Sequence, residues 1–329
     1  MEGHAAETGF ALDFPLALGS PPCTGRLRTE PEDFQVDELL PADFAFTGAG
    51  EHLCLQIRKR GENSRWVARQ LAAAAGIAES DVGFCGLKDR RAVTTQWFSL
   101  PLRGDATLAL DGLDAEILDR QRHRAKLRRG MHAGNRFRIR LREVEGDREA
   151  IAARIAELAR GVPNYFGPQR FGIAGNNLVA AQELIAGPRI RGGGRNGIYL
   201  SAARSWLFNR VLAARVRDGT WNRPLEGEVQ PEGPLWGRGR SPAPAAVAQL
   251  EAQVLADWQH WCHALEHAGL RQERRALVLV PEALSWHWQD ADLIVEFRLG
   301  RGEFATALLA ELGGFADPGV AERAPGSAH

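Results

Sequence analysis

The chain has 329 residues, 44% apolar and 25% charged, with 41 basic and 41 acidic side chains and a formal net charge of zero. That length permits two domains with cores of their own, while the balanced charge removes any global electrostatic argument for a nucleic-acid partner. Four scattered cysteines without a C-x-x-C pair argue against a zinc ribbon or a disulfide framework. With no basic leader and no run near the ~18 apolar residues of a membrane span, they describe a soluble, cytoplasmic protein.

Residues 1–22 carry no strong pattern and end in Pro21–Pro22, as in a loose lead-in. From Pro31 the sequence alternates, with Phe34 and Val36 on one face and Gln35 and Asp37 on the other, the pattern of a half-buried strand. A second strand is expected over His52–Lys59. Asn63 then caps a helix through Trp66, Val67 and Leu71 that stops at Gly76, giving a β–α–β arrangement compatible with an α/β layer.

A short apolar run, Val82–Cys85, and Gly86 precede Asp89, which lies between Lys88 and Arg90–Arg91. The β-branched and aromatic stretch from Val93 to Phe98 reads as the next strand. Asp89 is thus expected on a strand-to-strand loop among cations that favour its ionised form. A carboxylate of that kind suits a nucleophile, an electrostatic stabiliser or a metal ligand. A solvated turn with a local ion pair is the plainer alternative.

Ala115–Gln121 reads as another strand, and from Arg120 the chain becomes strongly basic. Only Lys59, Lys88 and Lys126 are lysines; the other basic residues are arginines, the better partners for phosphates and bases. Within 135–142 the period is two: Arg136, Arg138, Arg140 and Arg142 share one face, and Asn135, Phe137, Ile139 and Leu141 the other. The arginine row is either a solvated sheet face or a track for a phosphate backbone. Asn135 is either a turn residue after Gly134 or a buried amide in need of partners.

Asp147–Arg160 has helical spacing at Ile151, Ile155 and Leu158. Gly161–Gly172 is an aromatic, glycine-punctuated loop fit for stacking on bases or for packing between domains. Arg191–Arg195 (RGGGR) lacks the strand–loop–helix context of a phosphate cradle and reads as a surface loop. Trp221–Pro244 should be irregular and Ala245–His267 one long helix. On that helix His263, Glu266 and His267 make the H-x-x-E-H pattern of inverted zinc metallopeptidases, with an ordinary exposed face as the alternative. Strands are expected over Leu277–Val280, Ala283–Trp288 and Leu293–Arg298, a last helix from Gly302, and a frayed tail after Pro318.

Several of these segments resemble, in order, the motifs of the TruD family of tRNA pseudouridine synthases. They are Pro31–Glu38 (PEDF-x-V-x-E), Gly86–Asp89 with Ala92, Thr94 and Gln96, Gly134–Phe137 (GN-x-F) and Asn164–Gly172 (NYFG-x-QRFG). Ser201–Ser205 with Leu207–Asn209, Leu284–Trp286 and Phe304–Thr306 follow. The resemblance implies an α/β (α+β) fold: a mixed-sheet catalytic domain from residues 1–160 and 276–329, and an inserted, mainly helical domain over 161–275. It implies isomerisation of a uridine, that at position 13 of tRNA, without a cofactor. Asp89 would be the nucleophile, Phe34, Asn135 and Phe304 substrate contacts, with Lys88 beside them, and Arg28 the basic residue the family carries before the first motif. The partner is tRNA and a monomer is expected. A tRNA-binding chaperone without catalysis and a zinc peptidase are the competing readings.

Overall fold

The computed structural model describes residues 9–103, 114–187 and 194–318. Its strands are β1 (Cys23–Arg26), β2 (Phe34–Leu39), β3 (His52–Arg60), β4 (Gly83–Phe84), β5 (Val93–Leu100), β6 (Ala115–His123) and β7 (Gly134–Gly146). They continue with β8 (Val162–Pro163), β9 (Glu232–Leu235), β10 (Glu273–Ala276), β11 (Val278–Leu279), β12 (Glu282–Gln289), β13 (Asp292–Gly300) and β14 (Gly313–Ala316). The helices are α1 (Ser64–Ala75), α2 (Arg148–Leu158), α3 (Asn176–Ala186), α4 (Gly194–Arg217), α5 (Ala245–Val254), α6 (Gln259–His267) and α7 (Ala305–Leu312).

One large sheet runs β12-β13-β7-β2-β5-β3-β6, with β4 on β5, and β1 and β14 beside the far end of β7. It is mixed: β2 pairs in parallel with β5 and β1 with β14, whereas β7 is antiparallel to β2 and β13. The alternation read in the sequence is what makes β7 a central strand. Phe137, Ile139 and Leu141 are buried on one face, and the intervening arginines look outward. On the buried face, α2 and α7 supply Ile151, Ile155, Leu158, Leu308 and Leu312. At the other end α1 lays Val67 and Leu71 on Leu55, Ile57 and Phe98. Asn63 Oδ1 accepts the Trp66 amide at 2.9 Å, and Gly76 ends the helix at φ 64, the left-handed stop glycine allows without strain.

Helices α3 to α6 enclose a second core around Trp206, Phe208, Trp261 and Leu265. Two expectations are corrected around it. The lead-in is not loose: Phe10 is buried and its ring lies 5.4 Å from Trp206 and 5.8 Å from Trp261. The segment 245–267 is not one helix but α5, a short 3-10 turn over Ala256–Trp258, and α6. No proline or glycine marks the break. It turns Leu255, Trp258 and Trp261 into the same aromatic core. Ser201–Asn209 lies inside α4, which begins at Gly194.

Strands β1 and β14 carry no clear alternation and were not expected; pairing in parallel, they tie the two ends of the chain together. Residues 191–193 of the RGGGR stretch and the tail from 319 lie outside the described residues. Among those described, no helix is long and apolar enough to cross a membrane.

Candidate active site

The loop between β4 and β5 is fixed by buried polar groups reaching it from three strands and a helix. Ser64, at the start of α1, donates from Oγ to Gln96 Oε1 (2.5 Å) and accepts the Lys88 amide (2.8 Å). Gln96 in turn donates to the Gly86 carbonyl at 3.1 Å. Lys88 sends its ammonium inward to Glu38 Oε2 of β2 at 2.6 Å, with the glutamate fully buried. Burial raises the Glu38 pKa, and Lys88 opposes that shift. Gly86 makes room for the pair: a Cβ there would stand 3.2 Å from both Lys88 Nζ and His132 Cε1. Burial, reinforced by Lys88, pushes the His132 imidazole down to about 4, so a neutral ring packs beside the pair.

Asp89 follows directly. From behind, the buried Lys59 of β3 donates to its carbonyl at 3.1 Å and to the carbonyl of Glu62. Burial lowers Lys59 to about 8, the Asp89 charge pulling the other way. The Asp89 carboxylate is 26% exposed; Oδ1 accepts the Arg91 amide at 3.3 Å, and Oδ2 is 3.5 Å from Arg28 Nη2. Gln169 Nε2 donates to the same Oδ2 at 3.5 Å, the outer limit of a hydrogen bond.

Arg28 is held in the left-handed region (φ 55), its other nitrogen donating to Asp317 Oδ2 at 2.8 Å. Its guanidinium lies 4.1 Å from the centroid of the Phe34 ring. Phe34 is itself buried against Phe137 and reaches the site only across Arg28.

Asn135 stands opposite Glu38 on one side and Leu299 on the other, and its Oδ1 is buried without a partner. Phe304 caps α7, half-buried, 5.7 Å from the Phe166 ring. The Gly167 backbone comes close enough to α7 that a Cβ there would meet Thr306 Oγ1 at 2.5 Å. This contact brings the Asn164–Gly172 loop to both Phe304 and Asp89.

The structure therefore gathers Asp89, Arg28 and Phe34 directly, and joins Phe304 to them through the Gln169 loop. Lys88 differs from expectation, because its ammonium serves Glu38 and not the open side of the loop. The arginine row lies on the outward face of β7, among carboxylates. Arg136 and Arg138 pair with Glu296, Arg140 with Asp292, and Arg142 with Asp33 and Glu30. Each of these cations lies within 4 Å of a carboxylate, Arg136 and Arg138 sharing Glu296, as on a solvated, ion-paired face. Glu266, expected in the H-x-x-E-H site, accepts from Trp236 Nε1 at 3.0 Å. Among the described residues no three His, Cys, Asp or Glu side chains converge as metal ligands. Lys59, Gln169 and Asp317 were missed. A signal for Lys59 was its rarity, since in a chain of arginines two of the three lysines lie buried at this loop.

A sequence profile described as "tRNA pseudouridine synthase D (TruD)" matches residues 14–188. A tRNA pseudouridine synthase D of Cellvibrio japonicus is 47% identical over 318 residues, covering 93% of this chain and 94% of the relative. That of Methylococcus capsulatus is 45% identical over 346 residues, covering 95% and 97%. A crystal structure of a putative tRNA pseudouridine synthase D from Methanosarcina mazei superposes with a TM-score of 0.65 at 20% identity. It covers 91% of this chain and 95% of its own, which establishes the shared fold.

Proposed function

Because this chain belongs to the TruD family of tRNA pseudouridine synthases, and so is an isomerase acting on tRNA, we propose that Asp89 is its nucleophile and uridine 13 of tRNA its target. The reaction breaks the bond from C1′ to uracil N1, turns the detached ring in place, and joins C1′ to C5. N1 gains a proton and C5 loses one. No electrons are exchanged and no group is donated, so the chemistry calls only for a nucleophile and a pocket that keeps the loose base.

One observation carries this reading: the two ends of Asp89 are treated differently. Its backbone is fixed from behind by the buried Lys59, while its carboxylate stays partly exposed, approached by Arg28 and Gln169 only to 3.5 Å. A rigidly aimed, partly open carboxylate is what attack on a flipped nucleotide requires. Drawing the uridine out of its stack costs about a few kcal/mol, and stacking on Phe304, or on Phe34 once Arg28 swings off its ring, offsets part of that. Asn135 Oδ1, a buried acceptor without a partner, is suited to the N3–H of uracil.

Residues 1–160 with 276–329 are taken as the catalytic domain and 161–275 as an insertion. The two cores support this division, apart from residues 10–17, Leu277, Val278 and Phe304, which pack on the second core, and Val162, which packs on the first. We infer a cytoplasmic monomer; the four unpaired, buried cysteines fit a reducing compartment. The test is incubation with unmodified tRNA, followed by mapping of pseudouridine through chemical derivatisation. Asp89→Asn is expected to bind tRNA and form no detectable product; near-normal turnover by that variant sinks the assignment.

A further inference from the structure

Two half-buried guanidinium groups near Phe304 lack the carboxylate that several other arginines of this chain have. Arg28, Arg154, Arg215 and Arg274 each have a carboxylate within 4 Å, Arg274 having both Glu251 and Glu232. Among the described residues, its neighbour Arg275 forms no ion pair within that distance, nor does Arg170. Yet both press on the ring of Phe166, at 4.2 and 5.5 Å from its centroid, and Arg170 lies 5.7 Å from that of Phe304.

Their hydrogen bonds go to neutral groups. Arg275 donates to Asn164 Oδ1 (2.5 Å) and the Gly302 carbonyl (2.9 Å), and Arg170 to Ser201 Oγ (3.2 Å). The Nε of each is buried without an acceptor, and Arg170 Nη2 has none among the described residues. Burial lowers both pKa values, Arg275 to about 10, where Glu303 opposes and Arg170 adds to the shift. Glu303 itself accepts the Gly300 amide at 2.7 Å. Two like charges taken out of water side by side, without a countercharge in contact, are costly unless an anion arrives to complete the site.

We propose that Arg170, with Arg275 beside the same Phe166 ring, binds one of the two phosphodiesters flanking the target uridine. This rests on the Asp89 reading above. Gln169 reaches Asp89 Oδ2 at 3.5 Å, and the next residue, Arg170, lies against Phe304. A nucleotide held between Phe304 and Asp89 lies along the segment that carries Gln169 and Arg170, so the proposal assigns the Arg170 guanidinium to a phosphate on its sugar. A guanidinium gives such a phosphate a charge-assisted hydrogen bond that a neutral group cannot replace. Such a contact is separate from the β7 row, whose arginines lie beside Glu296, Asp292 and Asp33.

The test places an uncharged methylphosphonate at either linkage next to the target uridine of a ligated tRNA, and measures both binding and single-turnover kcat/KM. With the unaltered protein, one of the two neutral linkages is expected to lower kcat/KM roughly 10- to 100-fold, the range for losing a hydrogen bond to a charged partner. Arg170→Gln is expected to lose a similar factor on ordinary tRNA and to be indifferent to the same linkage. Full activity of the unaltered protein on both neutral linkages overturns the proposal, as does an Arg170→Gln variant equally sensitive to them. The arms with the unaltered protein need no variant to fold. If it binds tRNA but forms no pseudouridine, the Asp89 reading fails, and the binding arm still decides whether a flanking phosphate is held.

Discussion

Lys59 offers the sharpest separation of positioning from stability. Replacing it by Met removes the donor to the carbonyls of Asp89 and Glu62, each then buried without that partner. At about 1–3 kcal/mol per unsatisfied group, the loss is roughly 2–6 kcal/mol. Against this stands the relief of a buried charge. With Lys59 lowered to about 8, below a reference near 10.4, the ammonium costs roughly 3 kcal/mol of folding free energy at pH 7. The two nearly cancel, so Lys59→Met should change unfolding stability at pH 7 by at most ~3 kcal/mol. The catalytic loop, however, loses its rear support, and a displacement of even about 1 Å at Asp89 lowers the rate by roughly 100-fold.

The same lysine sets a pH dependence. The folded state releases its proton first, so the unaltered protein should gain stability relative to the Met variant as pH rises from about 8 to about 10, a difference unaffected by the four buried thiols that both proteins share. Urea unfolding against pH and single-turnover pseudouridine formation read the two effects separately. A variant with an unchanged rate, or a stability difference between the two proteins that stays constant from pH 8 to pH 10, refutes this account.

Glu38→Gln leaves the buried Lys88 ammonium without its countercharge and should cost about 3–5 kcal/mol in urea unfolding, most of it recovered when Lys88→Met is added. Asp317→Ala frees Arg28 to close on Asp89; the rate at saturating tRNA should fall about 10-fold with little change in KM, an unchanged rate arguing against any hold by Asp317. Asn135→Ala removes a contact made only once the base is flipped, so it should lower the saturating rate more than tRNA affinity, and the reverse pattern would exclude it from the base pocket. Arg138→Gln with Arg140→Gln should leave the salt dependence of tRNA binding nearly unchanged because both cations are internally paired; a slope reduced by about two contacts would restore the phosphate track.

The sequence by itself determined what is encoded over a few neighbouring residues. The period-two alternation of β2, β3 and β7, the Asn63 cap with its Gly76 stop, and the helical spacing of α2 each fix a local backbone and its buried face. The motif segments likewise put Asp89 on its loop between two strands. Only the tertiary structure decided what surrounds that carboxylate. Lys59 precedes it by 30 residues and Gln169 follows it by 80, while Asp317 reaches Arg28 across 289 residues. No local signal distinguishes the arginine that meets a carboxylate from the one that meets only rings and carbonyls. Arg274 and Arg275 are adjacent in the chain, yet strand alternation sends one to Glu251 and the other to Phe166. The break between α5 and α6 and the burial of Phe10 have the same origin. The aromatic core they complete is assembled from residues some 250 positions apart, and its packing outweighs helix propensity that is uniform along the segment.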